Sequence, residues 1–153
     1  FSIKSAAGGF LYQKKDMNYN ELDELELMTT KIPTDKEYRA LKLGWKLVKY
    51  VKSNAIVIAD NHQALGIGAG QMSRIDATKI AIRKVSEAGL NLTGSIMASD
   101  AFLPFEDCVE LAAKAGISAI IQPGGSVKDK VVIAKANELD VAIVFTGIRH
   151  FLH

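Results

Sequence analysis

The segment Gly66-Ile67-Gly68-Ala69-Gly70-Gln71-Met72-Ser73-Arg74 joins an apolar strand to the start of a helix, and the rest of the chain repeats that alternation. Glycine at every second position keeps the backbone extended while another backbone or a ligand approaches closely. Ser73 to Asp76 fit the Ser-x-x-Asp pattern of a helix N-terminus. The pattern places N–H groups, the helix dipole and the Arg74 guanidinium at one strand end. The segment therefore predicts either an anion site or a buried glycine-rich strand.

The glycine spacing excludes both standard nucleotide-binding motifs. Gly66-x-Gly68-x-Gly70 does not match the Gly-x-Gly-x-x-Gly fingerprint, and no Gly-Lys-Ser or Gly-Lys-Thr follows to form a phosphate loop. Any anion binding here would need a different arrangement.

Length and composition predict a single domain with one buried core and no strongly charged surface. The chain has 153 residues, of which 48% are hydrophobic and 24% are charged, with a net charge of +2. Acidic and basic residues are interspersed and no long basic run occurs, so nucleic acid is not an expected partner. The single cysteine, Cys108, cannot form an internal disulfide, and no stretch approaches the ~20 apolar residues of a membrane span. A cytoplasmic protein without a membrane segment is expected.

The first 33 residues carry weak signals. Short strands are expected at 10–13 and 25–29, and the polar segment from Lys14 to Asp23 is expected to be a surface loop. The chain opens at Phe1 without an initiator methionine or a secretory pattern, which predicts a piece of a longer chain. We therefore expect a weakly structured lead-in over residues 1–33 and one α/β domain over residues 34–153.

A capped helix and a hairpin begin that domain. Thr34 and Glu37 form a capping-box pattern ahead of an amphipathic helix. The apolar run 55–59 is then predicted to pair with 64–68 as an antiparallel hairpin, with His62 in the turn.

Helices and strands alternate after the hairpin. Helices are predicted over about 75–88, 105–115 and 126–139, and strands over 95–99, 118–122 and 141–145. Strands separated by helices of this length are typical of right-handed crossovers. The predicted fold class is α/β, with a mixed, mainly parallel sheet and helices on both faces.

Polar and aromatic residues follow each of four predicted strands, where ligands of open α/β sheets bind. These strand ends supply two arginines, serine-capped helix starts, an aromatic ring and a histidine, which suits an anionic, flat ligand such as a nucleotide. The segments are 68–74, 99–102, 123–126 and 146–150.

Each of these residues also has a purely structural interpretation. Asp100 could cap a turn, Phe102 could be core, and Arg149 with His150 could form a solvated tail. Cys108 is interpreted as inert core. No histidine, cysteine and carboxylate spacing predicts a metal site, and the Pro-Cys-x-x-Cys zinc signature of nucleobase deaminases is absent.

The same segments resemble the AICAR transformylase part of the bifunctional purine-biosynthesis enzyme that joins this activity to inosinate cyclohydrolase. The similarity extends over most of residues 40–153 in the order found in that family. The matching stretches are 45–49, 52–55, 66–74, 99–105, 121–126 and 145–153.

The resemblance implies transfer of a formyl group from 10-formyltetrahydrofolate, a co-substrate, to the 5-amino group of AICAR. It also implies a cytidine-deaminase-like α/β fold that is duplicated in the transformylase and lacks the zinc of the deaminases. By matching motif, Asn54 would contact the nucleotide and orient the reacting group, and His153 would lie near it. Arg74 and Arg149 would bind the nucleotide, at least one of them through its phosphate. Phe102 would pack on the base, and the residues beside the folate would be Asp107, Ser126 and Val127.

The family's catalytic Lys-His dipeptide has no counterpart in these 153 residues, since none of His62, His150 and His153 follows a lysine. Formyl transfer needs a proton acceptor and stabilisation of an oxyanion. The isolated chain is therefore expected to be inactive or nearly so, and closure to inosinate is not expected without the cyclohydrolase domain. The resemblance further implies a homodimer whose active sites draw residues from both subunits and from the remainder of the transformylase.

Two other functions stay open from the sequence. The chain could be a stand-alone nucleotide-binding or regulatory module without catalysis. It could also be a structural half-domain that pairs with its duplicate, with 56–58 and the hairpin serving an interface.

Overall fold

The computed structural model describes residues 1–14 and 25–153. The predicted surface loop from Lys14 to Asp23 lies, apart from Lys14, outside the described residues. Two short strands, β1 (Ser2–Ala6) and β2 (Gly9–Gln13), form a separate antiparallel hairpin. The remaining elements are β3 (Glu26–Leu27), α1 (Asp35–Val48), β4 (Ile56–Ala59), β5 (Ala64–Gly68), α2 (Arg74–Glu87), β6 (Ile96–Ser99), α3 (Asp107–Lys114), β7 (Ala119–Gln122), α4 (Asp129–Glu138) and β8 (Ala142–Phe145).

Within the described residues, six strands form one mixed sheet in the order β3-β8-β7-β6-β4-β5. β6, β7 and β8 pair in parallel, while β4 pairs antiparallel with both β5 and β6, and β3 pairs antiparallel with β8. The hairpin of β4 and β5 is confirmed. β5 to β8 all point in one direction, but β4 lies between β5 and β6, so only two of the pairings are parallel.

Helices cover both faces of this sheet, which confirms the predicted α/β class. α2, α3 and α4 pack on one face around Ile56, Ile58, Met97, Ile120 and Ile143. α1 packs on the other face, where alternate residues of the same strands point. Burial of each such large aliphatic side chain contributes about 1.5–3 kcal/mol. The central strands are buried on both sides, and this explains their continuous apolar sequences.

Helix α1 begins as the sequence predicts. The Thr34 side chain accepts a hydrogen bond from the Glu37 N–H, and the Glu37 carboxylate accepts one from the Thr34 N–H. Helix α2 also has the predicted cap, since Ser73 Oγ accepts from the Asp76 N–H at 3.2 Å. Both helices therefore have fixed starting points at opposite edges of the sheet.

The glycines of β5 pack against a helix. Gly66 and Gly68 are buried, and a Cβ atom at either would collide with the backbone carbonyls of Ala81 and Ala77 on α2. These two glycines let α2 lie directly on the strand. Of the two interpretations open from the sequence, the buried glycine-rich strand is correct at these positions.

Candidate functional site

The predicted site residues lie at one edge of the sheet. β5, β6, β7 and β8 all end at this edge, and β4, which runs in the opposite direction, begins there. The loops that follow β5 to β8 therefore meet the segment that precedes β4. The structure brings the polar strand ends together, as expected for an open α/β sheet.

Asp100 is the centre of a buried network at this edge. Its side chain is fully buried and forms an ion pair with the Arg74 guanidinium, which is itself only 7% exposed. Asp100 Oδ2 accepts a hydrogen bond from Ser53 Oγ at 2.5 Å, and Oδ1 accepts one from the Ala55 N–H at 3.1 Å. One carboxylate thus joins the end of β6, the segment before β4 and the first residue of α2.

Arg74 and Asn54 are in direct contact. Arg74 Nη2 donates to Asn54 Oδ1 at 2.9 Å, and Arg74 Nη1 donates to the Ala55 carbonyl at 3.0 Å. Asn54 Nδ2 donates to the Gln71 carbonyl at 2.9 Å. The Ser53–Asn54 peptide bond is cis. The Arg74 guanidinium, predicted to contribute to an anion site at the start of α2, points inward to Asp100 and Asn54 in this structure. A nucleotide contact by Arg74 stays a prediction.

Phe102 and Arg149 form the open part of the site. The Arg149 guanidinium carbon lies 4.8 Å from the centroid of the Phe102 ring, a cation–π contact. Arg149 is exposed and Phe102 is half-buried. A Cβ atom on Gly125 would lie 3.6 Å from Arg149 Nη2, so the loop after β7 borders the same stack. Two residues that were predicted to bind the nucleotide, one from the loop after β6 and one from the segment after β8, are therefore in contact.

The loop between β7 and α4 differs from the sequence expectation. Ser126 does not cap α4, whose N-cap is Lys128. Instead, Asp129 Oδ2 accepts hydrogen bonds from the N–H groups of Gly125 and Ser126, at 2.7 and 3.1 Å. These two donors are therefore occupied by a carboxylate and are not open to a ligand anion. Val127, the second predicted folate residue in this loop, is 99% exposed.

Asp107 and Cys108 begin α3 at the adjacent strand end. Asp107 is half-buried, and its Oδ1 accepts the Cys108 N–H at 2.7 Å. Burial and the nearby Asp107 charge raise the pKa of the Cys108 thiol to about 12. A thiol that stays protonated is a poor nucleophile, which agrees with the interpretation of Cys108 as inert core.

The segment after β8, residues 146–153, crosses the site edge, and we refer to it as the tail. The His150 N–H donates to the Asp100 carbonyl at 2.9 Å, and Leu152 exchanges two hydrogen bonds with Ser53. His150 is only 2% exposed, so the alternative in which its side chain is solvated is wrong. His153 follows directly on the residue bonded to Ser53, is exposed, and stacks on Phe151 with 5.8 Å between the ring centroids.

Sequence reasoning missed three residues of this site. It gave Asp100 only a cap and offered no role for Ser53 or Gln122. Gln122 is fully buried at the end of β7, and its Oε1 accepts the Leu103 N–H at 2.6 Å, next to Phe102. A polar side chain at the end of a buried strand or within three residues of it, at the edge where ligands bind, was the signal available for all three.

Among the described residues, no group of three or more histidine, cysteine, aspartate or glutamate side chains could hold a metal ion. In the same residues, no helix combines the length and apolar character that a membrane crossing requires.

Two solved structures are similar to this chain in fold, each with a TM-score of 0.48. One is a diaminohydroxyphosphoribosylaminopyrimidine deaminase/5-amino-6-(5-phosphoribosylamino)uracil reductase from Thermotoga maritima, 18% identical over 69% of this chain and 33% of the other. The other is the dCMP deaminase of cyanophage S-TIM5, 17% identical over 70% of this chain and 94% of the other. The chain thus spans about a third of the length of the first of them.

The sequence model of the AICARFT/IMPCHase bienzyme matches residues 1–84. The matched residues extend from the β1–β2 hairpin into α2 and include Asn54 and Arg74. They make up more than half of the 153 residues. The chain therefore belongs to the AICARFT/IMPCHase bienzyme family, which acts in purine biosynthesis.

Proposed function

We propose that this chain supplies nucleotide- and folate-binding residues to an AICAR transformylase. The reaction is transfer of the formyl group of 10-formyltetrahydrofolate to the 5-amino group of AICAR. The observation that carries the proposal is the Arg149–Phe102 stack, 4.8 Å from guanidinium to ring, at the strand ends of a chain of this family. An exposed cation beside an aromatic ring suits a phosphorylated heterocycle.

In the proposed complex, Arg149 and Phe102 bind the phosphate and the base of AICAR, and Asn54 orients its carboxamide or amine. A guanidinium that lies over a ring keeps its N–H groups in its own plane, where they can bind a phosphate by two parallel hydrogen bonds. Phe102 then offers the imidazole base the part of its ring that Arg149 does not cover. Asn54 Nδ2 carries two hydrogens and donates one of them to Gln71, so the other can orient the carboxamide or amine of the ligand.

The proposed folate side is the adjacent pair of loops. Val127 presents an almost fully exposed apolar side chain, which suits the flat rings of the folate. The half-buried Asp107 carboxylate can accept hydrogen bonds from the N–H groups of a pterin. Ser126, the residue directly before Val127, is proposed to lie on the same side of the site.

The chemistry needs more than these contacts. The AICAR amine attacks the formyl carbon and loses one proton, an oxyanion forms, and its collapse breaks the bond to N10 of tetrahydrofolate, which takes up a proton. We propose His153 beside the reacting groups and Asn54 as the orienting residue. The 153 residues contain no Lys-His dipeptide, so we propose that turnover requires that pair from the rest of a transformylase dimer.

A second candidate is a nucleotide-binding module without catalysis. The observation that favours it is that these 153 residues carry the predicted binding residues Arg149 and Phe102 but no Lys-His dipeptide. Binding of AICAR is common to both candidates, and formyl transfer separates them.

The binding test uses calorimetric titration of the chain with AICAR. Arg149→Ala is expected to weaken binding about tenfold or more, because a charge-assisted hydrogen bond contributes about 1.5–3 kcal/mol. The melting temperature is expected to stay unchanged, since Arg149 is exposed. Arg83→Ala is the matched control, because Arg83 is also exposed and lies outside the site on α2. Equal affinity of the wild type and Arg149→Ala would reject the proposal.

The activity test measures tetrahydrofolate release from 10-formyltetrahydrofolate in the presence of AICAR. We expect the chain by itself to bind AICAR and to show no turnover. Turnover that appears only after addition of a transformylase segment containing Lys-His supports the enzyme candidate, and its continued absence supports the binding module. Normal turnover by the 153 residues alone would contradict the assignment of the missing pair.

A further inference from the structure

The tail is held at several points along the site edge. The Thr146 and Gly147 N–H groups donate to the carbonyls of Gln122 and Pro123, each at 3.0 Å. Further on, the His150 N–H binds the Asp100 carbonyl and Leu152 pairs with Ser53. The tail therefore passes the ends of β7, β6 and β4 in turn. Arg149 lies between the first and the second pair of these attachments.

His150 and Arg149 have opposite surroundings although they are neighbours. The His150 ring is 2% exposed and its centroid lies 4.5 Å from that of Trp45, at an interplanar angle of 44°. Trp45 belongs to α1 and is itself 3% exposed. Arg149, one residue earlier, is exposed and stacks on Phe102. The tail thus has one buried aromatic contact directly beside the exposed cation.

We propose that His150 is a positioning residue for Arg149. The contact between His150 and Trp45 fixes the backbone on which the guanidinium is carried, and so holds that guanidinium over Phe102 before a ligand arrives. This inference rests on the proposed function, because Arg149 is the proposed phosphate ligand. A mobile loop loses backbone freedom when its arginine binds a ligand, and a backbone that is already anchored does not pay this cost on binding. His150 then contributes to nucleotide affinity without touching the nucleotide.

The first test needs no ligand. The Phe102 ring shifts the NMR signals of the Arg149 Nε–Hε group and side-chain methylenes that lie over it, and Phe102→Ala defines the unshifted positions. His150→Ala is expected to move these signals most of the way to the unshifted positions. His150→Phe keeps an aromatic ring on Trp45 and is expected to retain most of the shift. His62→Ala, in the exposed β4–β5 turn, is the control and is expected to change nothing. Unchanged Arg149 signals in His150→Ala would overturn the proposal.

The second test measures AICAR affinity in a double-mutant cycle. His150→Ala is expected to weaken AICAR binding about tenfold, and to have no further effect in the Arg149→Ala background, because it acts through that side chain. Equal effects in both backgrounds would overturn the proposal. His150→Asn replaces His150→Ala if the alanine variant does not fold. If the wild type does not bind AICAR, the proposed function fails, while the ligand-free NMR shift still decides whether His150 positions Arg149.

Discussion

The two edges of the sheet each contain a buried carboxylate, but the two carboxylates have different partners. At the site edge, Asp100 is fully buried and pairs with the cation Arg74. At the opposite edge, Glu37 is 8% exposed and accepts hydrogen bonds from the hydroxyls of Thr34 and Ser118. Asp100 connects segments that carry predicted ligand residues, whereas Glu37 connects the start of α1 to the start of β7.

This difference shows that a buried carboxylate can either position binding residues or only stabilise the fold. A buried ion pair costs desolvation of two charges and is maintained only by close partners on both sides. Such a network fixes Arg74 and Asn54 relative to each other, which a binding site needs. Glu37 satisfies hydrogen bonds at a helix start, and its partners Thr34 and Ser118 are not predicted ligand residues. The predictions below test this distinction, beginning with the largest expected effect.

Asp100→Ala is expected to destabilise the chain by about 3–5 kcal/mol, because it leaves the Arg74 guanidinium buried without its countercharge. Urea denaturation measures the free energy of unfolding. Asp35→Ala removes an exposed aspartate in the first turn of α1 and is the control, with an expected loss below about 1 kcal/mol. The double variant Asp100→Ala with Arg74→Leu is expected to recover part of the loss. A loss below about 1 kcal/mol in Asp100→Ala would contradict the role of this ion pair.

Glu37→Gln is expected to cost about 1.5–3 kcal/mol at neutral pH, the range for hydrogen bonds to a charged group. Burial by itself raises the pKa of Glu37, but hydrogen bonds from Ser118 and Thr34 outweigh it and lower the pKa below the ordinary value of 4.5. A lowered folded-state pKa stabilises the protein above the unfolded value, and that contribution is lost as the pH falls through the folded pKa. The difference between wild type and Glu37→Gln should therefore shrink below about pH 4.5.

Denaturation of both proteins at neutral and acidic pH measures this change. Glu87→Gln is the control, since Glu87 is 65% exposed and pairs with Arg83 in its own helix. A difference between wild type and Glu37→Gln that stays constant with pH would show that Glu37 is not the titrating group.

The elements themselves follow from local sequence. Thr34 and Ser73 cap their helices as predicted, and the strands after the hairpin lie within one residue of the expected segments, because both signals depend only on neighbouring residues. The position of β4 between β5 and β6 could not be predicted. Strand order depends on packing between segments that are distant in sequence.

The site shows the same division. The sequence placed Arg74, Phe102 and Arg149 at one edge, since parallel strands end together, whereas Asn54 was predicted only by the family resemblance. It could not show that Arg74 points to Asp100, 26 residues away, or that His150 points inward to Trp45. Gly66 and Gly68 gave two interpretations because the choice depends on where the α2 backbone lies. The sequence indicated which residue types lie at the site, but it did not indicate which side chains contact each other across the fold.

Gln122→Met is expected to have the smallest effect on stability, and it tests a buried polar residue with no charged partner. The substitution removes the acceptor of the Leu103 N–H, which costs about 1–3 kcal/mol. It also removes Gln122 Nε2, a buried donor without a hydrogen-bond partner among the described residues, and this gives back a similar amount. The net change in the free energy of unfolding is therefore expected to lie within about 1 kcal/mol.

AICAR affinity is expected to fall in Gln122→Met although stability does not, because Leu103 is the residue next to Phe102 and loses its link to β7. Gln63→Met, in the exposed turn before β5, is the control for both measurements. A loss of stability above about 2 kcal/mol would show that Nε2 has a partner, and an ordered water is the one that a buried amide most often finds. In that case Gln122, like Asp100, would stabilise the site edge. A buried neutral side chain would then contribute to stability as a buried charged one does.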